Sequence, residues 1–287
     1  MKRSRVVTLA ISLSILSLSG CATYQGIGEQ ALPKTGWAIE LDVAQHEVAV
    51  EASAQASAMG AGGGLIGAMI GSAIDKHRNQ KAEDAVTELR DLLIEYPFSS
   101  RFEQLLTESG VLDSLTVAGP VEVWTQPRPD YKSEPITGET FLVKPRVEFS
   151  NDLSNLNVML LVAGQVPDAK GRPGKGSFAD IYEYVLPLSE PVSGKKREDY
   201  AAIWAGYGKE RLSEIIESGM LVVIEMLRSD AREGTLALTD TKIKVVDLAR
   251  PLPALFVVGG DDETVWARAK QATSRQFAFP VEKVEYR

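Results

Sequence analysis

Cysteine and histidine, two side chains that often act as nucleophiles or metal ligands, are few in this sequence and lie far apart along the chain. There is one cysteine, Cys21, and there are two histidines, His46 and His77. Neither histidine has a cysteine or a second histidine at the spacing of a metal site. The sequence also lacks the Gly-x-Ser-x-Gly and His-Glu-x-x-His patterns that mark common hydrolases. We therefore expect no catalytic residue, no metal ligand and no cofactor.

Two short segments could attract ions, but both are typical of surface turns. Residues 171–176, GRPGKG, are glycine-rich like a phosphate-binding loop but lack the Lys-Ser or Lys-Thr pair of that motif. Asp261, Asp262 and Glu263 are consecutive carboxylates, whereas a calcium-binding loop alternates its ligands with other residues. We expect a flexible hairpin loop at the first segment and a solvated turn at the second.

The first residues have the organisation of an export signal. Three basic residues, Lys2, Arg3 and Arg5, precede an apolar run at residues 6–18. A run of this length is too short to span a bilayer and is typical of a signal peptide. The segment ends in Leu-Ser-Gly-Cys at residues 18–21, which resembles the lipobox of bacterial lipoproteins.

The resemblance to a lipobox implies a role for Cys21. In such lipoproteins the signal is cleaved at the bond equivalent to Gly20–Cys21, and the cysteine thiol carries the lipid. Each buried methylene of an acyl chain contributes about 0.8 kcal/mol, so two or three chains anchor a protein firmly. Ala22 follows the cysteine, where an aspartate would mark inner-membrane retention. The resemblance thus implies an anchor in the outer membrane, with the body facing the periplasm.

Charge and cysteine content restrict the partners and the fold. The chain has a net charge of −8, and without residues 1–20 it keeps 28 basic and 39 acidic residues, a net charge of −11. Such a body repels nucleic acid and anionic membrane surfaces, so we expect no nucleic-acid partner. The single cysteine lies at the end of the signal, and we therefore expect no disulfide within the fold.

The composition predicts three segments. Residues 1–20 form the lipoprotein signal peptide, and residues 21–36 contain Gly, Pro and Thr without apolar periodicity, which is typical of a tether. Residues 37–287 are long enough to bury a sizeable core. We expect them to form a single periplasmic α+β domain.

A glycine-rich segment at residues 59–74, MGAGGGLIGAMIGSAI, is the most unusual stretch. Gly63, Gly67 and Gly71 recur every four residues, which would place them on one face of a helix where another backbone can approach closely. The segment resembles the glycine zippers of small envelope lipoproteins. Three interpretations remain open: a helix packed on the protein's own sheet, an oligomer contact, or a segment that dips into the membrane.

Apolar periodicity predicts the other elements. Steps of three and four predict a helix at residues 75–96, a second helix opened by a Ser100–Glu103 capping box after Pro97, and a long helix at about residues 198–228. Alternation predicts strands near residues 37–43, 117–124, 140–149, 156–166, 178–188, 242–247, 254–258, 263–267 and 276–282. This order predicts the α+β class, with a mixed, mainly antiparallel sheet packed against two or three helices.

The lipobox, the GGGLIGA segment, the AEDAVTELRDLL helix and the late Trp-bearing helix together resemble a group of uncharacterised lipoproteins of Gram-negative bacteria. The resemblance implies that the protein is located in the cell envelope, but it implies no activity. We expect a non-enzymatic lipoprotein that binds a protein or cell-wall partner in outer-membrane assembly or maintenance. The alternatives are a carboxylate-based enzyme acting on peptidoglycan or glycan, whose paired acids would converge in a cleft, and a carrier with a large apolar pocket.

Overall fold

The computed structural model describes residues 37–45, 48, 50, 86–115, 121–125, 134–174, 177–188, 196–233, 236–248, 252–270 and 275–287. Several residues singled out in the sequence lie outside the described residues. They are Gly20, Cys21, His46, Gly63, Gly67, Gly71 and His77. The predicted signal peptide, tether and glycine-rich helix also lie there.

Ten strands of the described part of the chain form one mixed sheet, so the protein is α+β in type. The strands are β1 (Ala38–Asp42), β2 (Val121–Trp124), β3 (Thr140–Phe149), β4 (Asn155–Gln165), β5 (Phe178–Pro187), β6 (Lys242–Val245), β7 (Leu255–Gly260), β8 (Thr264–Ala269), β9 (Arg275–Pro280) and β10 (Val284–Tyr286). Their spatial order is β10-β6-β7-β8-β9-β5-β4-β3-β1-β2. Strand β1 is parallel to β2 and β3, and β5 is parallel to β9, whereas the other neighbouring pairs are antiparallel.

The helices fall into two groups along the chain. The first comprises α1 at residues 86–93, α2 (Phe98–Glu108) and α3 (Val111–Ser114), and the second comprises α4 (Arg197–Gly206) and α5 (Gly208–Glu233). Pro97 is the N-cap of α2. Tyr207 lies between α4 and α5, and the chain changes direction at Gly208, the first residue of α5, whose φ of +73° is a left-handed conformation that glycine adopts at little cost. None of the helices in the described ranges is long and apolar enough to cross a membrane.

One face of the sheet packs against α5. Side chains alternate between the two faces along β4 and β5, and Val158 and Tyr184 lie opposite each other on the face that α5 covers. A Cβ atom on Gly219 of α5 would lie only 2.6 Å from Cγ2 of Val158 and 2.9 Å from Cδ1 of Tyr184. The glycine therefore allows the helix to approach the sheet closely. Buried apolar side chains fix α5 in this core along its length, among them Leu212, Ile216, Val223 and Leu227.

A second apolar cluster lies under the C-terminal strands. Phe277 and Phe279 of β9 belong to it, whereas Ala278 between them belongs to the larger cluster. The two phenylalanine rings stack with centroids 6.0 Å apart. Alternate residues of β9 therefore contribute to two cores, which explains why this strand is buried along almost its whole length.

The turn between β3 and β4 is attached to helix α4. Leu153 has φ of +60°, which is uncommon for a residue with a side chain, and it is fully buried. The indole Nε1 of Trp204 donates a hydrogen bond of 2.7 Å to the carbonyl oxygen of Leu153. The ring of Trp204 also meets Phe149 edge-on, with centroids 5.2 Å apart. These contacts hold the turn in its strained conformation.

The predicted strands agree better with the structure than the predicted helices do. Strand β3 has the predicted bounds, and β4 and β5 differ from theirs by one residue at most. The long helix predicted at residues 198–228 is wrong, because Gly208 divides it into α4 and α5. The predicted capping box is also wrong: Ser100 lies inside α2, where its hydroxyl donates to the carbonyl oxygen of Pro97. Strand β10 was not predicted as a separate element.

Candidate binding groove

A groove with a volume of about 420 Å³ lies between α2, α5 and the turn that joins β7 to β8. Its apolar lining consists of Leu105 from α2 and Leu221, Val222 and Ile224 from α5. Leu105 and Ile224 are buried, whereas Leu221 is 49% exposed. The groove therefore presents an aliphatic surface to solvent above a closed core.

The spacing of residues along α5 explains how this helix serves both the core and the groove. Ser218, Leu221, Val222, Glu225 and Arg228 follow one another at steps of three, one, three and three, which places them along one face of the helix. Residues on the opposite face pack against the sheet. One amphipathic helix thus supplies core contacts on one side and a groove wall on the other.

The charged rim of the groove is mainly acidic. Four carboxylates line it, those of Glu108, Glu225, Asp261 and Glu263, together with one cation, Arg228. The guanidinium of Arg228 is already engaged, because it pairs with Glu225 and donates through Nη2 to the carbonyl oxygen of Ser109 at 2.6 Å. The rim therefore carries an excess of negative charge.

Asp261 organises the turn at one end of the groove. Its Oδ1 accepts hydrogen bonds from the backbone amides of Glu263 at 2.9 Å and Thr264 at 2.7 Å, and from the hydroxyl of Thr264 at 3.0 Å. Burial raises the pKa of Asp261, but these hydrogen bonds outweigh it and hold the pKa below its usual value. Asp261 is therefore ionised over the whole physiological range and keeps its charge at the rim.

The carboxyls with raised pKa values lie elsewhere. Asp230 at the end of α5 is buried and accepts a hydrogen bond of 2.7 Å from the hydroxyl of Tyr182. Burial raises the pKa of Asp230, although the hydroxyl of Tyr182, the charge of Arg268 and a hydrogen bond from Gln276 act in the opposite direction. Burial likewise raises the pKa of Glu183, which pairs with Arg275.

The buried polar cluster formed by Tyr182, Asp230, Arg268 and Gln276 is part of the interior. Each of these side chains belongs to a residue that is less than a tenth exposed. The guanidinium of Arg268 donates through Nη2 to the carbonyl oxygen of Leu236 at 2.9 Å. This hydrogen bond connects the segment that follows α5 to strand β8 of the sheet. We assign this cluster a structural role, because a buried hydrogen-bonded network specifies which side chains pack together in the core.

Most residues that line the groove were not singled out from the sequence. The exception is the acidic turn at residues 261–263. Asp261 and Glu263 lie at the groove, and among the described residues no group of three or more possible ligands is close enough to hold a metal ion. The predicted site residues Gly20, Cys21, Gly63, Gly67 and Gly71 lie outside the described residues. The consecutive carboxylates at residues 261–263 are the sequence feature that overlaps the groove.

No protein-family model and no curated protein matches this chain.

Proposed function

We propose that this chain is a lipoprotein of the bacterial envelope, anchored in the outer membrane through lipid on Cys21 and facing the periplasm. The support is the order of features at residues 2–21: a basic head, an apolar run and the sequence Leu-Ser-Gly-Cys. We also propose that it belongs with the uncharacterised lipoproteins of Gram-negative bacteria that it resembles. In this proposal residues 37–287 form one domain, with the sheet packed against two or three helices.

We further propose that the body acts by binding, without catalysis, to a protein or cell-wall partner during outer-membrane assembly or maintenance. The observation that carries this proposal is the groove between α2 and α5. It exposes Leu221 beside the half-buried Val222, inside a rim of carboxylates. Exposed aliphatic surface with a polar rim is typical of interaction sites. The carboxyls with raised pKa values, Asp230 and Glu183, are buried away from this groove.

The anchor is tested by replacing Cys21 with serine in cells supplied with labelled palmitate. The wild-type chain is expected to take up label and to fractionate with the outer membrane. Cys21→Ser is expected to remain unlabelled and unprocessed, because the thioether precedes cleavage. Label on the Cys21→Ser chain, or an unlabelled wild-type chain, would contradict the anchor.

The binding role is tested by photocrosslinking in living cells. A photoreactive residue at Leu221 is expected to give a discrete adduct with an envelope component. The same residue at Ile94 is the matched control, because Ile94 is 58% exposed and does not line the groove. Equal adducts from both positions, or none from Leu221, would count against a partner at the groove.

A further inference from the structure

We infer that the groove binds a basic, amphipathic peptide segment, which places apolar side chains over Leu221 and Val222 and directs lysine or arginine side chains to the acidic rim. This inference deepens the proposed binding function and rests on it for the existence of a macromolecular partner. It specifies the chemical class of that partner. Three properties of the groove lead to it: an aliphatic floor, a negative rim and a position between two helices.

The floor selects an apolar partner surface. Leu221 is 49% exposed, and it adjoins Leu105 and Ile224, which are 6% and 1% exposed. A partner side chain that covers Leu221 therefore packs against an apolar surface that is already ordered in the free protein. The driving force is removal of aliphatic surface from water, and sugars and headgroups offer little such surface.

The rim selects a cationic partner. Glu108 lies at the C-terminal end of α2, where the backbone carbonyls of the helix add partial negative charge. Asp261 and Glu263 add two carboxylates from another part of the chain, the β7–β8 turn. Arg228, the cation of the rim, is engaged by Glu225 and by the carbonyl of Ser109. An anionic lipid, a phosphate group or a second copy of this acidic chain would meet repulsion here, whereas lysine and arginine would be attracted.

The groove is bounded on two sides by helices, which favours a helical ligand. Its volume of about 420 Å³ can accept several side chains but cannot enclose a folded domain. Amphipathic helices bind grooves of this kind through apolar side chains spaced three or four residues apart, with charged residues on the flanks. A basic helix or a segment that becomes helical on binding therefore fits both the form and the charge.

The test uses the full-length wild-type chain, purified in a neutral detergent, and three fluorescent peptides of about 18 residues, long enough to form five helical turns. The first peptide is composed of leucine and lysine, with the leucines at steps of three and four residues so that they lie on one face of a helix. The second replaces every lysine with glutamate, and the third keeps the lysines but replaces every leucine with serine. Fluorescence anisotropy is expected to show binding of the first peptide, at least about tenfold tighter than either of the other two.

Two pairs of variants assign the binding to the groove. Leu221→Gln removes the aliphatic floor but keeps a good helix former, and its control is Ile94→Gln. Glu263→Lys reverses a rim charge, and its control is Asp262→Lys, which changes the net charge equally in the same exposed turn without lining the groove. Each groove variant is expected to weaken binding of the Leu/Lys peptide at least about fivefold, and each control by less than about twofold.

A wild-type measurement supplements the variants. Raising the ionic strength from about 0.05 to about 0.5 M is expected to weaken binding severalfold, because salt screens the attraction at the rim. Equal affinity for the leucine–lysine and leucine–glutamate peptides, wild-type affinity in both groove variants, or no effect of salt would overturn the inference. Palmitate labelling of the same preparation tests the anchor independently of peptide binding. Labelled protein that does not bind the peptide contradicts only the groove inference. Unlabelled protein that binds the peptide contradicts only the proposed anchor.

Discussion

Replacement of Gly219 by alanine is expected to destabilise the protein, although alanine favours helices. A Cβ at this position would lie 2.6 Å from Cγ2 of Val158, about 1 Å closer than the optimal separation of two carbon atoms. Val158 is 1% exposed and Tyr184 is 7% exposed, so neither neighbour can move into open space. The helix itself is held by buried side chains on both sides of Gly219, including Ile216 and Val223.

Two opposing terms determine the size of the effect. Overpacking of a core costs about 1–3 kcal/mol, whereas alanine in place of glycine inside a helix contributes about 1 kcal/mol of stabilisation. Because the clash is with a short, buried side chain, we expect the upper part of the first range and a net loss of about 1–2 kcal/mol. For a chain of this size the loss corresponds to a fall in Tm of roughly 2–4 °C.

Thermal unfolding followed by circular dichroism measures this change. Gly206→Ala is the matched control, because Gly206 lies in α4 and a Cβ there would meet nothing within 4 Å. The control is expected to leave Tm unchanged or to raise it. In the background of Val158→Ala, the cost of Gly219→Ala is expected to fall by at least about 1 kcal/mol, which a double-mutant cycle measures. If Gly219→Ala melts at or above the wild-type temperature, the close approach of α5 to β4 does not limit stability and the reasoning is refuted.

Three further changes have expected outcomes. The folded state raises the pKa of Asp230 above its ordinary value of 3.8, so the wild type should lose stability as the pH rises from 3.8 through the raised pKa. Asp230→Asn should remove this part of the pH dependence. If chemical denaturation at several pH values gives parallel curves of unfolding free energy against pH for the variant and the wild type, the prediction is wrong. Trp204→Phe should cost about 2–4 kcal/mol, because it leaves the buried carbonyl of Leu153 without its donor and opens a small cavity; a loss within the range of surface substitutions would contradict that role. Treatment with EDTA should leave the melting curve unchanged, and a loss of cooperative unfolding would reveal a structural metal.

Local patterns were sufficient for most strands and for the α+β class. Strand β3 was predicted with its observed bounds because alternation places Phe141, Val143 and Val147 on one face. The break at Gly208 was missed because the apolar stripe continues from α4 into α5, whereas the break depends on one positive φ angle. The capping box at Ser100 was wrong because Pro97 already occupies the N-cap.

Pairing between distant strands and the groove could not be predicted from local patterns. Strand β1 lies between β2 and β3, and β5 pairs with β9 in parallel, so these contacts join residues about 80–100 positions apart. The groove combines Leu105, Leu221 and Glu263 from three separate parts of the chain. The sequence contains each side chain but gives no local sign that they converge.

The position of β1 has a mechanical consequence if the proposed anchor is correct. In the proposed arrangement, tension on the anchor enters the body at Trp37 and runs along β1. Because β1 is parallel to a neighbour on each side and lies inside the sheet, tension along its axis loads both ladders of hydrogen bonds in shear at the same time. A terminal strand at an edge would carry the same load on a single ladder. In the proposed arrangement, a tether joined to β1 would therefore load two ladders of hydrogen bonds before this strand could leave the sheet.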